Sequence, residues 1–346
     1  MNQTFHAILL IVAVKGCEKQ YPQITERNNG LYTYATYPIG AAIDIKTLNY
    51  DTSYRGIAIR EFNSLTPENI FKAQYIHPQP NVFNWDEAYN LVNFCYTNNK
   101  RLHGHTLIWH QENPEWMNSF KGNASEWDNM MKIHIKTIVS HFKGQVTSWD
   151  VVNEAFNDDG SFRDNIWYNN IGESYIEKAF RYAYEADTNV LLFYNEYNLE
   201  SSHKKRKRVI DYLNDLRRKG VKIDGIGLQM HVNIKSPGEI HLSEALKNFT
   251  DNGYRIHLSE IDISINPKNR KIRNMEKLLG NQAEMLGEIA ILYKQIPPQY
   301  QYGITFWGIS DKTSWIRLYY KRNDHPLLYD DNYKAKPCYW RFKECL

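Results

Sequence analysis

The chain has 346 residues, 42% of them apolar and 23% charged, with a formal net charge of +3. This length and apolar content suit one large α/β barrel or two ordinary domains and exclude a disordered chain. Charge so near balance, spread along the sequence, gives no electrostatic reason to expect nucleic acid or an acidic polymer as a partner.

The amino terminus, MNQTFHAILLIVAVKGC, carries an apolar run from Ala7 to Val14, followed by Lys15, Gly16 and Cys17. The run is too short to span a bilayer, which takes about 20 apolar residues, but it matches the core of an export signal. VKGC resembles the box at which bacterial lipoproteins are cleaved and acylated on Cys, although Lys15 stands where a small residue is usual. We therefore expect residues 1–17 to be an export signal of lipoprotein type ending at Cys17, and the product to be secreted or held at the cell surface. Membrane attachment is expected only through an acylated Cys17. Simple cleavage and a buried first helix are the alternatives. Residues 18–33 read as a short tether and residues 34–346 as one folded domain.

From residue 38 onward, short β-branched runs alternate with helical-period segments, the pattern of a parallel sheet. The expected strands are 38–43, 63–69, 101–109, 146–154, 190–197, 225–232, 255–263 and 303–309. Amphipathic helices fill the gaps, from TSYRGIAIREF behind an Asp51 cap to KPCYWRFKECL at the carboxyl end. Eight strand–helix pairs with no Ser-, Pro- or Gly-rich linker between them predict a single (β/α)₈ TIM barrel. Within this pattern HKKRKR, residues 203–208, reads as the solvated face of a helix rather than a nucleic-acid patch. With Cys17 set aside, Cys95, Cys338 and Cys345 form no disulfide framework. On one helix Cys338 and Cys345 would stand about 10 Å apart, beyond disulfide reach.

In such barrels the reactive groups sit at the carboxyl ends of the strands. The polar residues that interrupt these strands fall at that end. They are Glu68, Asn69 and Lys72; His105, Trp109 and His110; Asn153 and Glu154; Asn195 and Tyr197; Gln229 and His231; Glu260 and Asp262; and Trp307, with Trp315 beyond it. Each alone is ordinary as a rim residue or a satisfied core group. Their convergence on one face is not. Two carboxylates on opposite strands, Glu154 on the fourth and Glu260 on the seventh, are what hydrolysis of a glycosidic bond requires: one protonated for the leaving oxygen, one ionised to attack or to activate water.

The stretches FNSLTPEN, GHTLIWH, WDVVNEAF, YNEYNLE, GIGLQMH, SEIDI and FWGISDKTSW, in this order and on these strands, resemble the xylanases of glycoside hydrolase family 10 from about Tyr34 to the end. The resemblance implies retaining, endo-acting hydrolysis of β-1,4-xylosidic bonds in xylan, with no cofactor and no metal. It makes Glu154 the general acid/base and Glu260 the nucleophile, with carboxyl groups about 5–5.5 Å apart. Asn153 is similar to the residue that holds the sugar 2-hydroxyl, and His231, oriented by Asp262, to the one that bonds the nucleophile. Glu68, Asn69, Lys72, His105 and Trp109 match the set that binds sugar hydroxyls, and Gln229 and Trp307 complete that pocket. Trp315 looks like a lid that favours a pentose, and Tyr197 like part of the leaving-group side. Three positions depart from the family pattern: Ala73 where Trp is common, Glu196 where Asp is frequent, and Ser259 where Thr is usual. A glucan-cleaving barrel and a barrel that binds polysaccharide without turnover remain as rivals. A metal enzyme built on His103, His105 and His110 is disfavoured, because no zinc-type spacing appears.

Overall fold

The structure, a computed structural model, describes residues 29–346. The readings on residues 1–28, which include the export signal, Cys17 and most of the tether, lie outside it. Among the described residues there are nine strands: β1 (Ile39–Ile43), β2 (Ser64–Pro67), β3 (Arg101–Gly104), β4 (Ser148–Asn153), β5 (Leu191–Glu196), β6 (Gly225–Leu228), β7 (His231–Asn233), β8 (Arg255–Ser264) and β9 (Gln301–Phe306). All of their pairings are parallel, and the β6–β8 and β1–β9 pairs close eight of them into a barrel. The ninth, β7, continues the line of β6 after a break and pairs with the upper end of β8, His231 opposite Asp262. Eight main helices wrap the barrel: α1 (Thr52–Glu61), α2 (Asp86–Thr97), α3 (Ala124–His141), α4 (Ser174–Ala186), α5 (His203–Arg218), α6 (Glu239–Asp251), α7 (Met275–Lys294) and α8 (Pro337–Cys345). This is the expected (β/α)₈ architecture.

Helices on the outside and packed side chains on the inside explain why β1 and β4 are buried at every position and why parallel strands read as near-continuous apolar runs. Deeper in the barrel the packing turns polar. His103 Nδ1 is 2.6 Å from Ser148 Oγ, which also bonds the Tyr302 hydroxyl, and His257 Nε2 is 2.8 Å from Thr305 Oγ1. The packed body begins before Tyr34: Leu31 is fully buried, and its N–H donates to Glu61 Oε2 at 3.0 Å. Cys95, Cys338 and Cys345 are free thiols. No helix among the described residues is long and apolar enough to cross a membrane.

Three expectations are corrected. The third strand leaves the sheet at Gly104, so His105 and Trp109 stand in the segment beyond it, held to β4 by Leu107 N–H to Asp150 O at 3.0 Å and Ile108 N–H to Val151 O at 3.1 Å. The sixth strand is not continuous, because Met230 takes a left-handed φ of 61° that turns the chain between Gln229 and His231. The basic run 203–208 is not a solvated face throughout. Lys205 and Arg206 are buried, Lys205 on Glu196 at 2.9 Å and Arg206 on Asn248 Oδ1 at 3.0 Å and Leu199 O at 2.8 Å.

Candidate active site

The two carboxylates expected to carry the chemistry stand in contrasting surroundings. Glu260, on β8, is nearly fully buried and accepts from Asn195 Nδ2 at 2.6 Å on one oxygen, while His231 Nε2 lies 3.1 Å from the other. Burial pushes its carboxyl up, but the charge of His105, 4.0 Å away, and the hydrogen bond and charge of His231 outweigh it, so Glu260 is held below the usual carboxylate range. It is therefore ionised at neutral pH. Glu154 follows β4 and keeps more contact with solvent, its side chain 12% exposed. Gln229 Nε2 donates to its Oε1 at 2.8 Å, and Asn153 Nδ2 approaches the same oxygen at 3.4 Å. Its Oε2 faces His110 Nδ1 at 3.6 Å. Burial depresses the His110 imidazole to about 4, despite the neighbouring Glu154 charge, so this ring is neutral at pH 7.

Three amides join the two acids. Asn153 Oδ1 accepts from Asn195 Nδ2 at 2.9 Å and from Gln229 Nε2 at 3.2 Å, and these same groups serve Glu260 and Glu154. Turning the Asn153 amide over would offer its oxygen to Trp109 Nε1 at 3.2 Å and its NH₂ to Asn195 O at 3.3 Å, but would set that NH₂ against the Asn195 and Gln229 amide nitrogens. In either orientation Asn195 and Gln229 keep their bonds to Glu260 and Glu154.

Around this centre the structure brings together the other expected residues. Asp262 Oδ2 lies 2.8 Å from His231 Nδ1 and accepts from Trp315 Nε1 at 2.7 Å, so one carboxylate oxygen ties the Trp315 indole to the imidazole on Glu260. Burial opposes a charged His231, yet Asp262 and Glu260 together hold its pKa well above the ordinary value. The ring of Trp307 lies 5.2 Å from that of His105 and 6.3 Å from that of His231, and the ring of Trp315 lies 5.0 Å from His231. Lys72 donates to Asn69 Oδ1 at 2.8 Å and sits 5.0 Å from the Trp109 ring. Burial raises the Glu68 carboxyl to about 7 against the pull of Lys72. Tyr197 stands at the end of β5, where Lys205 Nζ lies 3.6 Å from its ring centre.

Three residues that sequence reasoning left out of the site, Gly227, Asp150 and Arg163, belong to it by contact, and Asn195, read only as a polar strand end, gains a role there. Asn195 bonds Glu260 directly and is itself fixed by Ser259 Oγ, which donates to its Oδ1 at 2.7 Å. Gly227 on β6 is what lets Asn195 sit there, since a Cβ on Gly227 would come within 2.0 Å of Asn195 Oδ1. Asp150 receives His103 and His105 at 3.0 and 2.8 Å, and orients the imidazole that faces Glu260. Arg163 donates to the Glu154 carbonyl at 2.9 Å. The signal for Asp150 was present: it is a carboxylate inside the otherwise apolar run of β4. Asn195 carried a weaker one, as an amide at a strand end. A surface cavity of about 490 Å³ lined by His77, Trp116 and Phe120 shares no residue with this centre.

Comparison with known proteins agrees with this geometry. The family model described as Glycosyl hydrolase family 10 matches residues 28–345. The chain is 40% identical over 293 residues to endo-1,4-beta-xylanase B of Thermotoga neapolitana, covering 85% of this chain and 83% of that one. It is 37% identical to a beta-1,4-xylanase of Dictyoglomus thermophilum, covering 98% of each. The crystal structure of xylanase 10B from Thermotoga petrophila RKU-1 in complex with xylobiose superposes with a TM-score of 0.88 at 38% identity, over 92% of this chain and 98% of that one. A barrel with an acid at the end of its fourth strand and another on its seventh, matched end to end by this family, leaves one assignment: the chain belongs to glycosyl hydrolase family 10.

Proposed function

We propose that the protein is a retaining endo-1,4-β-xylanase in which Glu260 attacks the anomeric carbon and Glu154 protonates the leaving oxygen, then activates water. The observation that carries this reading is the asymmetry of the two acids: Glu260 is buried and held ionised by His105 and His231, whereas Glu154 is more open and has one oxygen outside its amide contacts. A nucleophile needs the first environment and a proton carrier the second. The two acids share one amide network through the Asn153 oxygen, and a retaining pair stands about 5–5.5 Å apart. Asn153 and Gln229 face the substrate beside the cleaved bond; Glu68, Asn69, Lys72, His105, Trp109 and Trp307 bind the glycone, and Tyr197 lines the leaving-group side.

Xylose rather than glucose is the sugar that this site favours, because Trp315 is pinned over His231 by its bond to Asp262 and restricts the space a hydroxymethyl group would need. Purified residues 18–346 are expected to release reducing ends from β-1,4-xylan with the β-anomer appearing first, and to cleave carboxymethyl-cellulose far more slowly. Trp315→Ala is expected to narrow that preference by about 10- to 200-fold, the range one small group in a pocket commands. Equal cleavage of both polymers by the wild type would overturn the substrate assignment, and initial release of the α-anomer would overturn the retaining mechanism. Binding of xylo-oligosaccharide without turnover would favour the binding-protein reading instead.

Export follows from the Ala7–Val14 run and the VKGC box, and we assign the chain to the cell surface or the medium on that basis. Partition of the full chain into detergent, lost in Cys17→Ser, is the expected mark of acylation. Partition unchanged by that substitution would rule it out.

A further inference from the structure

Glu154 occupies a left-handed backbone conformation, φ 57°, which is strained for a residue other than glycine and persists only when its surroundings over-determine it. Strand β5 supplies most of the constraint. Three successive N–H groups are pinned by three successive β5 residues: Glu154 N–H by Asn195 O at 2.9 Å, Ala155 N–H by the Tyr194 hydroxyl at 3.0 Å, and Phe156 N–H by Glu196 Oε2 at 3.2 Å. Tyr194 in turn donates to Glu196 Oε2 at 2.7 Å, and the other Glu196 oxygen accepts from Tyr197 N–H at 3.1 Å and from Lys205 Nζ at 2.9 Å. Both side chains of this ion pair are fully buried. Lys205 also lies 3.6 Å from the centre of the Tyr197 ring, whose hydroxyl bonds Arg163, the residue that holds the Glu154 carbonyl.

A buried ion pair is a poor means of stabilising a fold, since well-packed apolar residues serve as well or better. This pair has a different distinction. Apart from Lys205 Nζ to Asp158 Oδ1 at 3.3 Å, in the loop that follows, its contacts on the site side lead to the Glu154 turn or to Tyr197, and neither member hydrogen-bonds a cleft carboxylate. We propose that Glu196 and Lys205 act together as positioning residues for the proton-transfer step, fixing the Glu154 turn from behind and setting the Tyr197 ring against it on the leaving-group side. The proposal rests on the reading of Glu154 as proton donor. At this position, which departs from the family pattern, the Glu196 carboxylate spans from the helix α5 ammonium to the Phe156 amide.

The test separates proton donation from everything else in the reaction. Aryl β-xylobiosides with a poor leaving group, phenol, need the acid; those with a good one, 2,4-dinitrophenol, do not. In Glu196→Gln and Lys205→Met, kcat/KM for the phenyl substrate is expected to fall by about 10²-fold, the scale of a misplaced group, while kcat/KM for the dinitrophenyl substrate changes by less than about threefold. Glu196→Asp, which keeps the carboxylate, should recover most of the loss. The double variant Glu196→Gln/Lys205→Met leaves no unpaired buried charge and serves if either single variant fails to fold. An equal fall on both substrates, or no fall on either, overturns the positioning role. Glu154→Gln in the same assay checks the underlying reading by itself: if it shows no dependence on the leaving group, Glu154 is not the donor, whatever the pair does.

Discussion

Glu260→Gln is expected to lower xylan cleavage by at least about 10⁵-fold, and by a similar factor on substrates with good leaving groups, because removing the nucleophile blocks the step that every substrate shares. Gln is close in size and shape, so the barrel is undisturbed, but its single acceptor oxygen can serve only one of Asn195 and His231. The variant also loses the negative charge that helps to hold His231 protonated, so His231 is expected to titrate lower, readable as a shift in its imidazole NMR signal. Small-residue variants supply the stereochemical proof. With azide in the space left by Glu260→Ala, the sugar is attacked once and the product is the α-azide. With Glu154→Ala, azide intercepts the covalent intermediate, the centre inverts twice, and the β-azide forms. Exchange of those two outcomes would exchange the roles of the two acids, and full activity in Glu260→Gln would remove it from the reaction.

The barrel and the two acids were legible in the sequence for one physical reason. Parallel strands covered on both faces read as apolar runs, so a carboxylate at the end of WDVVNE or within SEIDI stands out against its neighbours. What the sequence obscured depends on backbone direction. His105 and Trp109 look like strand residues because RLHGHTLIW is apolar and β-branched, yet the chain departs at Gly104 and keeps only a few bonds to β4. The Met230 turn is equally hidden, since a positive φ at a methionine has no composition signal. Lys205 and Arg206 were obscured by their neighbours: in a run of six basic residues nothing marks the two whose helical phase turns them inward, toward Glu196, Leu199 and Asn248. Asn195 was read as one polar strand end among several. Its importance depends on Gly227 and Ser259, which lie on other strands, and no local pattern joins the three.

Asn195 is therefore the residue whose substitution tests the geometry most sharply. Its amide donates both hydrogens, to Glu260 at 2.6 Å and to Asn153 at 2.9 Å, while its oxygen is occupied by Ser259 at 2.7 Å. Asn195→Asp keeps the shape but, at neutral pH, places a second carboxylate against Glu260. Two carboxylates at that distance cannot both remain ionised, so they are expected to share a proton and the nucleophile to lose its charge for much of the time. The loss of the donor alone is worth about 10²–10³-fold in kcat, by analogy with a preorganised hydrogen bond to a reacting oxygen, and the like-charge contact adds to it. The sign of the pH response separates the two effects. As pH falls, the introduced acid gains its proton and again donates to Glu260, so Asn195→Asp should recover part of its activity toward acid, until Glu260 is itself protonated. Asn195→Ala has no group to protonate and should show the donor loss without that recovery. Parallel pH–rate profiles for the two variants would mean that the contact with Glu260 carries no charge effect, and wild-type rates in both would remove Asn195 from the machinery of the site.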